Sequence, residues 1–318
     1  MKRVGNLYNR ITSLYNLQEA DEKAQKGKSG QYGVILHNQN REGNLFILQD
    51  RLQSKTYRTS EYDVFQVHEP KERTVYRLPY FPDRITHHAV MNVLEPIFVT
   101  SFTSDTYSCL KGKGIHALFR KLKSDLRDIN ATTYCLKFDV KKFYPSVDHG
   151  VLKALLHRKF KDKDLLWLLD EIIDSAPGLP IGNYLSQYLA NFYLSYFDHW
   201  IKESKGVKYY YRYADDIVIL SGNKQSLHDL LPEIKEYLST LKLEVKDNYQ
   251  VFPVQSRGID YIGYVFRHSH IRIRKSIKQA FARKISKNIN HPSKTSYLGW
   301  LGHCNAKHLT KKLTTQNQ

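Results

Sequence analysis

Cysteine is scarce in this chain. Its three residues, Cys109, Cys135 and Cys304, stand far apart, and none belongs to a CxxC pair. That pattern excludes a disulfide framework and a zinc site of ordinary ligand spacing, and it suits a reducing cytoplasm. His303, next to Cys304, has no second ligand pair nearby, so both read as structural. Long apolar runs are missing as well. Nothing approaches the roughly 18–20 residues of a membrane-spanning helix, and residues 1–11 lack the apolar core of a signal peptide. No membrane partner is expected. Neither an internal repeat nor a long low-complexity tract is present, which argues against solenoid and array architectures. The last absence is the sharpest: from Arg267 to the C-terminus there is no Asp or Glu.

That acid-free segment carries Arg267, Arg272, Arg274, Lys275, Lys278, Arg283, Lys284, Lys287, Lys294, Lys307, Lys311 and Lys312. It reads as a surface that neutralises phosphates and releases counterions. Phe281, Ile285, Leu298, Trp300 and Leu301 are interspersed and predict packing rather than a loose tail. Over the whole chain 49 Lys and Arg face 31 Asp and Glu, a net charge of +18, which keeps a polyanionic partner in view. With 41% hydrophobic residues, 318 positions suffice for one large domain or for two to three closely packed subdomains. Tyrosine is abundant, at 23 residues, and serves either cores or base stacking.

Two phosphate-binding patterns fail on inspection. Gly27-Lys28-Ser29 ends like a P-loop, but Glu22 stands where the loop's first Gly belongs. Gly112-Lys113-Gly114-Ile115-His116-Ala117 fits GxGxxA, yet Thr103 to Ser108 before it is too polar for a buried parallel strand. Residues 21–31 are polar and predict a flexible connection. Helical spacing appears over 40–53, with Leu45, Leu48 and Leu52 on one stripe, and over 83–98, entered through Asp83. A β-type stretch covers 62–68. Residues 133–139 alternate: Tyr134, Leu136 and Phe138 face one way, and Asp139 ends the other face. Asp148 precedes Val151, Leu152, Leu155 and Leu156 at helical spacing and reads as an N-cap. Pro177 to Gly182 is turn-rich. Residues 186–201 predict one helix with Leu189, Phe192, Tyr193, Tyr196 and Trp200 on an apolar face. Residues 208–220 give a hairpin, 226–241 a helix, and 258–266 with 270–274 short strands. Helices mixed with antiparallel-type strands indicate an α+β fold.

Adjacent carboxylates repel, so Asp215-Asp216 within an apolar hairpin makes sense if a divalent cation sits against them. A plain Asp turn is the alternative. Two neighbouring strands can present Asp139 and Asp215 from one end of a sheet, which suits two cations about 3.5–4 Å apart. Such a pair activates a primer 3′-hydroxyl and stabilises departing pyrophosphate, because phosphoryl transfer needs positioned charge above all.

At these residues the chain resembles reverse transcriptases. Phe138-Asp139-Val140-Lys141-Lys142-Phe143-Tyr144-Pro145-Ser146-Val147-Asp148 is similar to their first palm motif, and Tyr213-Ala214-Asp215-Asp216 to their YxDD motif. Gly178-Leu179-Pro180-Ile181-Gly182 through Ser186-Gln187 lies where a further palm motif belongs. Gly258-Ile259-Asp260-Tyr261-Ile262-Gly263-Tyr264 resembles the primer grip, Lys71 to Arg84 the basic fingertip, and Ser108 to His116 another fingers block. The resemblance runs from about residue 60 to 305. It implies a right-hand polymerase fold: an N-terminal extension over 1–30, fingers and palm over 31–265, and a short basic helical thumb over 266–318. It further implies an RNA-directed DNA polymerase with two Mg²⁺ per active site, held by Asp139, Asp215, the Val140 carbonyl and, less directly, Asp216. Lys71 and Arg73 would grip the incoming triphosphate, Tyr144 would serve as steric gate, and Gly182 would let backbone approach the nascent base pair. Tyr261, Ile262 and Gly263 would form the primer grip. Template RNA, a DNA or RNA primer and dNTPs are the expected partners.

Ile181 stands where most such enzymes carry Gln, and Ser186-Gln187 where most carry Ser-Pro. That pattern resembles the enzymes of diversity-generating retroelements, which misincorporate opposite template adenines and work with an accessory variability protein. Ile cannot make the hydrogen bonds of Gln, so discrimination by polar contacts should weaken. The expected setting is the cytoplasm of a bacterial cell, with a cellular or phage gene. A retron-type or defence reverse transcriptase is the rival reading. An inactive RNA-binding protein on the polymerase fold is a second, disfavoured by the intact acidic residues.

Overall fold

The computed structural model describes residues 3–68, 72–285, 291–308 and 310–311. Nine strands form three antiparallel sheets among these residues. β1 (Asp63–Val67) and β2 (Arg73–Arg77) make a two-stranded hairpin. β3 (Tyr134–Asp139), β4 (Tyr209–Tyr213), β5 (Asp216–Ser221) and β6 (Gln250–Pro253) form a sheet in the order β4-β5-β3-β6. β7 (Ile259–Tyr261), β8 (Tyr264–Phe266) and β9 (Ile271–Ile273) form the third. No helix of the described residues is long and apolar enough to cross a membrane.

The four-stranded sheet is covered on both faces, as its sequence dictates. Leu136 and Phe138 of β3, with Ile217 and Ile219 of β5, enter the large helical core. Cys135, Tyr211, Val218 and Leu220 point the other way, onto the β7–β9 sheet and helix Ile115–Asp125. Alternation therefore holds across β3, with Lys137 and Asp139 on the Cys135 face. The basic C-terminal segment packs as expected: Phe281, Ile285 and Leu301 from helices Lys275–Ile285 and His291–Gly302 bury a small core of their own.

Three expectations need correction. Residues 21–25 are no flexible connection; they end helix Leu14–Gln25. Asp21 is fully buried and accepts from Tyr80 Oη and Arg41 Nε, so its polarity marks an internal network rather than a loop. Asp83 does not cap the helix Ile85–Val99. It is buried, and its carboxylate accepts from Tyr57 Oη at 2.7 Å and the Ser60 amide at 3.1 Å. The single helix read over 186–201 is instead three segments, Tyr184–Tyr193, Ser195–His199 and Trp200–Ser204, which let the apolar stripe change direction at Leu194. Asp148 does cap its helix, accepting from the Val151 amide at 2.9 Å.

Candidate active site

Strand register sets the site. Asp139 ends β3 directly opposite Asp216, which begins β5. β4 and β5 are joined by a two-residue turn, Ala214-Asp215, since Tyr213 pairs with Asp216. Asp215 thus projects from the turn beside the Asp139–Asp216 pair, and its carbonyl accepts from the Val140 amide at 3.2 Å. The turn is strained: Ala214 has φ 55°, a region that costs an L-residue energy and that is retained where surroundings over-determine it.

Those surroundings are explicit. The Arg212 guanidinium, with no solvent exposure, donates to the Ala214 carbonyl at 3.2 Å and to Asn191 Oδ1 at 3.0 Å. It pairs with Asp198 through two hydrogen bonds, of 2.7 and 2.5 Å, and Tyr210 Oη and Thr106 Oγ1 donate to the same carboxylate. From below, Tyr261 Oη donates to the Asp216 carbonyl at 2.9 Å. The turn is clamped on both sides.

The carboxylates sit in a charged frame. Asp216 is pushed up to about 7 by burial, with Asp139 and Asp215 adding to the rise and Lys137 opposing it. Its Oδ1 is sealed from solvent and lacks a hydrogen-bond partner among the described residues. Lys137 Nζ stands 3.5 Å from it, an ion pair of poor hydrogen-bond length. Lys246 Nζ lies 3.8 Å from Asp139 Oδ2. No group of three His, Cys, Asp or Glu side chains stands ready to hold a metal ion among the described residues. The donor chemistry nonetheless fits a hard cation: clustered carboxylates, one orphaned buried oxygen, and an Asp216 whose raised pKa, from burial first and neighbouring carboxylates second, a cation would lower.

Tyr144 is half-buried on the short helix Phe143–Ser146; burial, then Cys109 and Asp215, push its hydroxyl up. Its carbonyl accepts from the Leu179 amide at 2.8 Å, tying it to the 177–182 loop. The Ile181 carbonyl accepts from the Tyr76 amide of β2 at 2.8 Å. Gly182 has φ 123°, and a Cβ there would stand 2.4 Å from the Tyr76 carbonyl; the close approach its lack of side chain permits is to the β1–β2 hairpin. Arg73 is exposed at the start of β2. Lys71 lies outside the described residues. Ile262 and Gly263 form the two-residue turn between β7 and β8, both at positive φ, while Tyr261 is wholly buried under the β4–β5 turn. Sequence reasoning missed Lys137, Lys246 and the Arg212–Asp198 pair. Only Lys137 carried a signal, being two residues from Asp139 on the same strand face.

Comparison with known proteins follows the same lines. The family model described as reverse transcriptase (RNA-dependent DNA polymerase) matches residues 69–266. Protein YkfC of Escherichia coli K12 is 24% identical over 299 residues, covering 77% of this chain and 78% of its own. The group II intron-encoded protein LtrA of Lactococcus lactis is 22% identical over 176 residues, 52% of this chain and 26% of that protein. Among solved structures, telomerase from Candida albicans in complex with a fragment of telomeric RNA aligns with a TM-score of 0.53 at 12% identity. It covers 75% of this chain, which spans about half (52%) of the telomerase chain. Apo telomerase from Candida tropicalis aligns with a TM-score of 0.54, also at 12% identity, over 72% of this chain and 52% of its own. These likenesses show a shared fold.

Proposed function

The chain belongs to the reverse transcriptase family of RNA-dependent DNA polymerases, and from that premise we propose that Asp139, Asp215 and Asp216 are its metal-binding carboxylates. The observation that carries the proposal is the register that sets Asp139 opposite Asp216 with Asp215 in the adjoining turn. Two Mg²⁺ ions, when bound there with help from the Val140 carbonyl, would activate the primer 3′-hydroxyl and neutralise the triphosphate. Lys137 and Lys246 hold the carboxylates meanwhile and would yield as cations arrive. Tyr144, next to Asp215, is the gate against a 2′-hydroxyl. Arg73, with Lys71, grips the triphosphate from the fingers. Ile262 and Gly263 present the primer grip, with Tyr261 supporting them and the catalytic turn. In this reading residues 31–265 are fingers and palm, and 266–318 the thumb.

Template RNA, a primer and dNTPs are then the substrates. For the finer role we infer a diversity-generating enzyme, acting in the bacterial cytoplasm with an accessory variability protein. Ile181 and Ser186-Gln187 support it. The match to an intron-encoded protein supports an intron-type enzyme as the second reading. Primer extension on RNA with Mg²⁺, followed by cDNA sequencing, separates them. Extension abolished by Asp215→Ala supports the metal site. Errors concentrated at template adenines and reduced by Ile181→Gln support the diversifying role. Low, even error in both proteins would favour the intron-type reading, and undiminished extension by Asp215→Ala would remove the site assignment.

A further inference from the structure

Helix Ile115–Asp125 lies against the β7–β9 sheet through Leu118, Phe119 and Leu122, all buried. Its exposed flank is less ordinary. His116, Arg120 and Lys123, followed by Arg127 in the turn beyond, recur at helical spacing, and all four are exposed. At about 1.5 Å rise per residue they make a ridge of roughly 16 Å with steps of about 4.5–6 Å. No ion pair or hydrogen bond engages the side chains of Arg120, Lys123 or Arg127 among the described residues. The acids nearby are already committed: Asp125 pairs with Lys121 and accepts from Tyr211 Oη, while Asp128 accepts from Tyr209 Oη and neighbours Lys208.

The ridge also has a direction. At its start, Gly114 and Tyr107 tie the helix to Arg212, beside the catalytic turn. At its end, Asp128 meets Tyr209, the far end of β4. The ridge therefore runs away from the catalytic turn along the sheet. At its start it also meets the basic C-terminal segment, where the His116 and His303 rings lie 4.3 Å apart. Unpaired cations in a row, continuous with an acid-free basic segment, are complementary to a polyanion of matching repeat.

We propose that this ridge is a track for the phosphate backbone of a nucleic-acid strand leaving the cleft beside the thumb. The proposal rests on the reverse transcriptase reading, which supplies the strand. It is a binding surface independent of base sequence, and it lies outside the residues assigned to chemistry.

The test uses the full chain and two primer–templates with the same RNA overhang to copy beyond the primer 3′ end; at the opposite end of the duplex one is blunt, and in the other the RNA strand is extended past the primer. Wild-type protein should bind the extended form more tightly, and Arg120→Gln/Lys123→Gln/Arg127→Gln should lose that gain. Its salt dependence on the extended form should flatten by about 2–3 in log–log slope, from roughly 0.7–0.9 per cation removed. Both proteins should extend the blunt primer–template equally, and Arg120→Lys/Arg127→Lys should bind as wild type. Equal gain from the extension in the triple variant would overturn the proposal. So would a loss confined to binding of anionic phosphatidylserine vesicles. Failure of the wild type to extend even the blunt substrate would instead count against the polymerase reading.

Discussion

Arg212 bears a full charge in a place without solvent, and it does so next to the turn that carries Asp215. A buried pair such as Arg212–Asp198 offers little net stability over a well-packed apolar pair, but losing one partner strands the other charge, at a cost of about 3–5 kcal/mol. Asp198 raises the Arg212 pKa further against the burial that lowers it, so the guanidinium is charged at every accessible pH. Its one contact to the Ala214 carbonyl is therefore a permanent clamp on a left-handed residue. Arg212→Met should lose several kcal/mol of unfolding free energy and most extension activity. Arg212→Met/Asp198→Leu should regain much of the stability, because no charge is stranded, yet remain slow because the turn has lost its donor. Urea melts and extension rates on both variants decide it. Recovery of stability and activity together would mean that the pair only fills space.

Among elements, the β7–β8 hairpin shows how turn geometry sets the seat of the C-terminal helix His291–Gly302. Ile262 has φ 44° and Gly263 φ 88°, the two positive values of a tight hairpin turn. A β-branched residue is a poor choice there, but Gly263 leaves no alternative at the second position, since a Cβ would stand 2.4 Å from the Trp300 ring. Trp300 in turn packs on Tyr264, whose hydroxyl donates to the Trp300 carbonyl at 3.0 Å. Gly263→Ala should push the helix His291–Gly302 off the hairpin, costing roughly 1–3 kcal/mol through overpacking, and shorten the products made per binding event. Gly112→Ala is the control: its φ is 75° but nothing lies within 4 Å, so only backbone strain of about 1–2 kcal/mol applies. Similar product lengths from the two variants would mean that the seat of this helix on the hairpin does not govern synthesis. β3 and the β4–β5 hairpin were legible in the sequence because alternation and turn residues are local signals, whereas 258–266 read as strand without its turn, since Ile262 carries no turn signal. Asp83 was misread because a capping residue and a buried acceptor look alike until Tyr57, 26 residues away, is placed. The Arg212 network was invisible for the same reason: its partners Thr106, Asn191 and Asp198 come from three separated segments.

For the molecule as a whole, a net charge of +18 means that acid adds repulsion to a chain already strongly positive. Among the groups that weaken the fold as pH falls, two histidines act first. His87 lies in the core of helix Ile85–Val99, where burial, with His88 and Arg84, lowers its pKa to about 3. His88 is lowered to about 4 by burial and by Lys28, Lys23 and Arg84. Both are neutral in the fold, whereas the unfolded chain protonates them below about 6.5. The unfolded state thus binds more protons between pH 6.5 and these folded values, and stability falls as pH drops through that window, by up to about 1.4 kcal/mol per pH unit for His87 alone. Asp21 acts later and in its own window. Its burial favours the neutral form, but His37 Nε2 at 3.2 Å and hydrogen bonds from Gln25, Tyr80 and Arg41 outweigh it and hold the carboxyl well below the usual range. Its contribution is present above the ordinary carboxylate pKa of about 4 and lost only below it. His87→Leu tests the division, since His87 Nε2 has no hydrogen bond to lose. Urea midpoints taken from pH 7.5 to pH 4.5 should decline less steeply in the variant than in the wild type, the slopes differing from about pH 6.5 down to the end of that range. Parallel decline over the whole range would place the acid sensitivity in net repulsion instead, and His87 would then be a packing residue and nothing more.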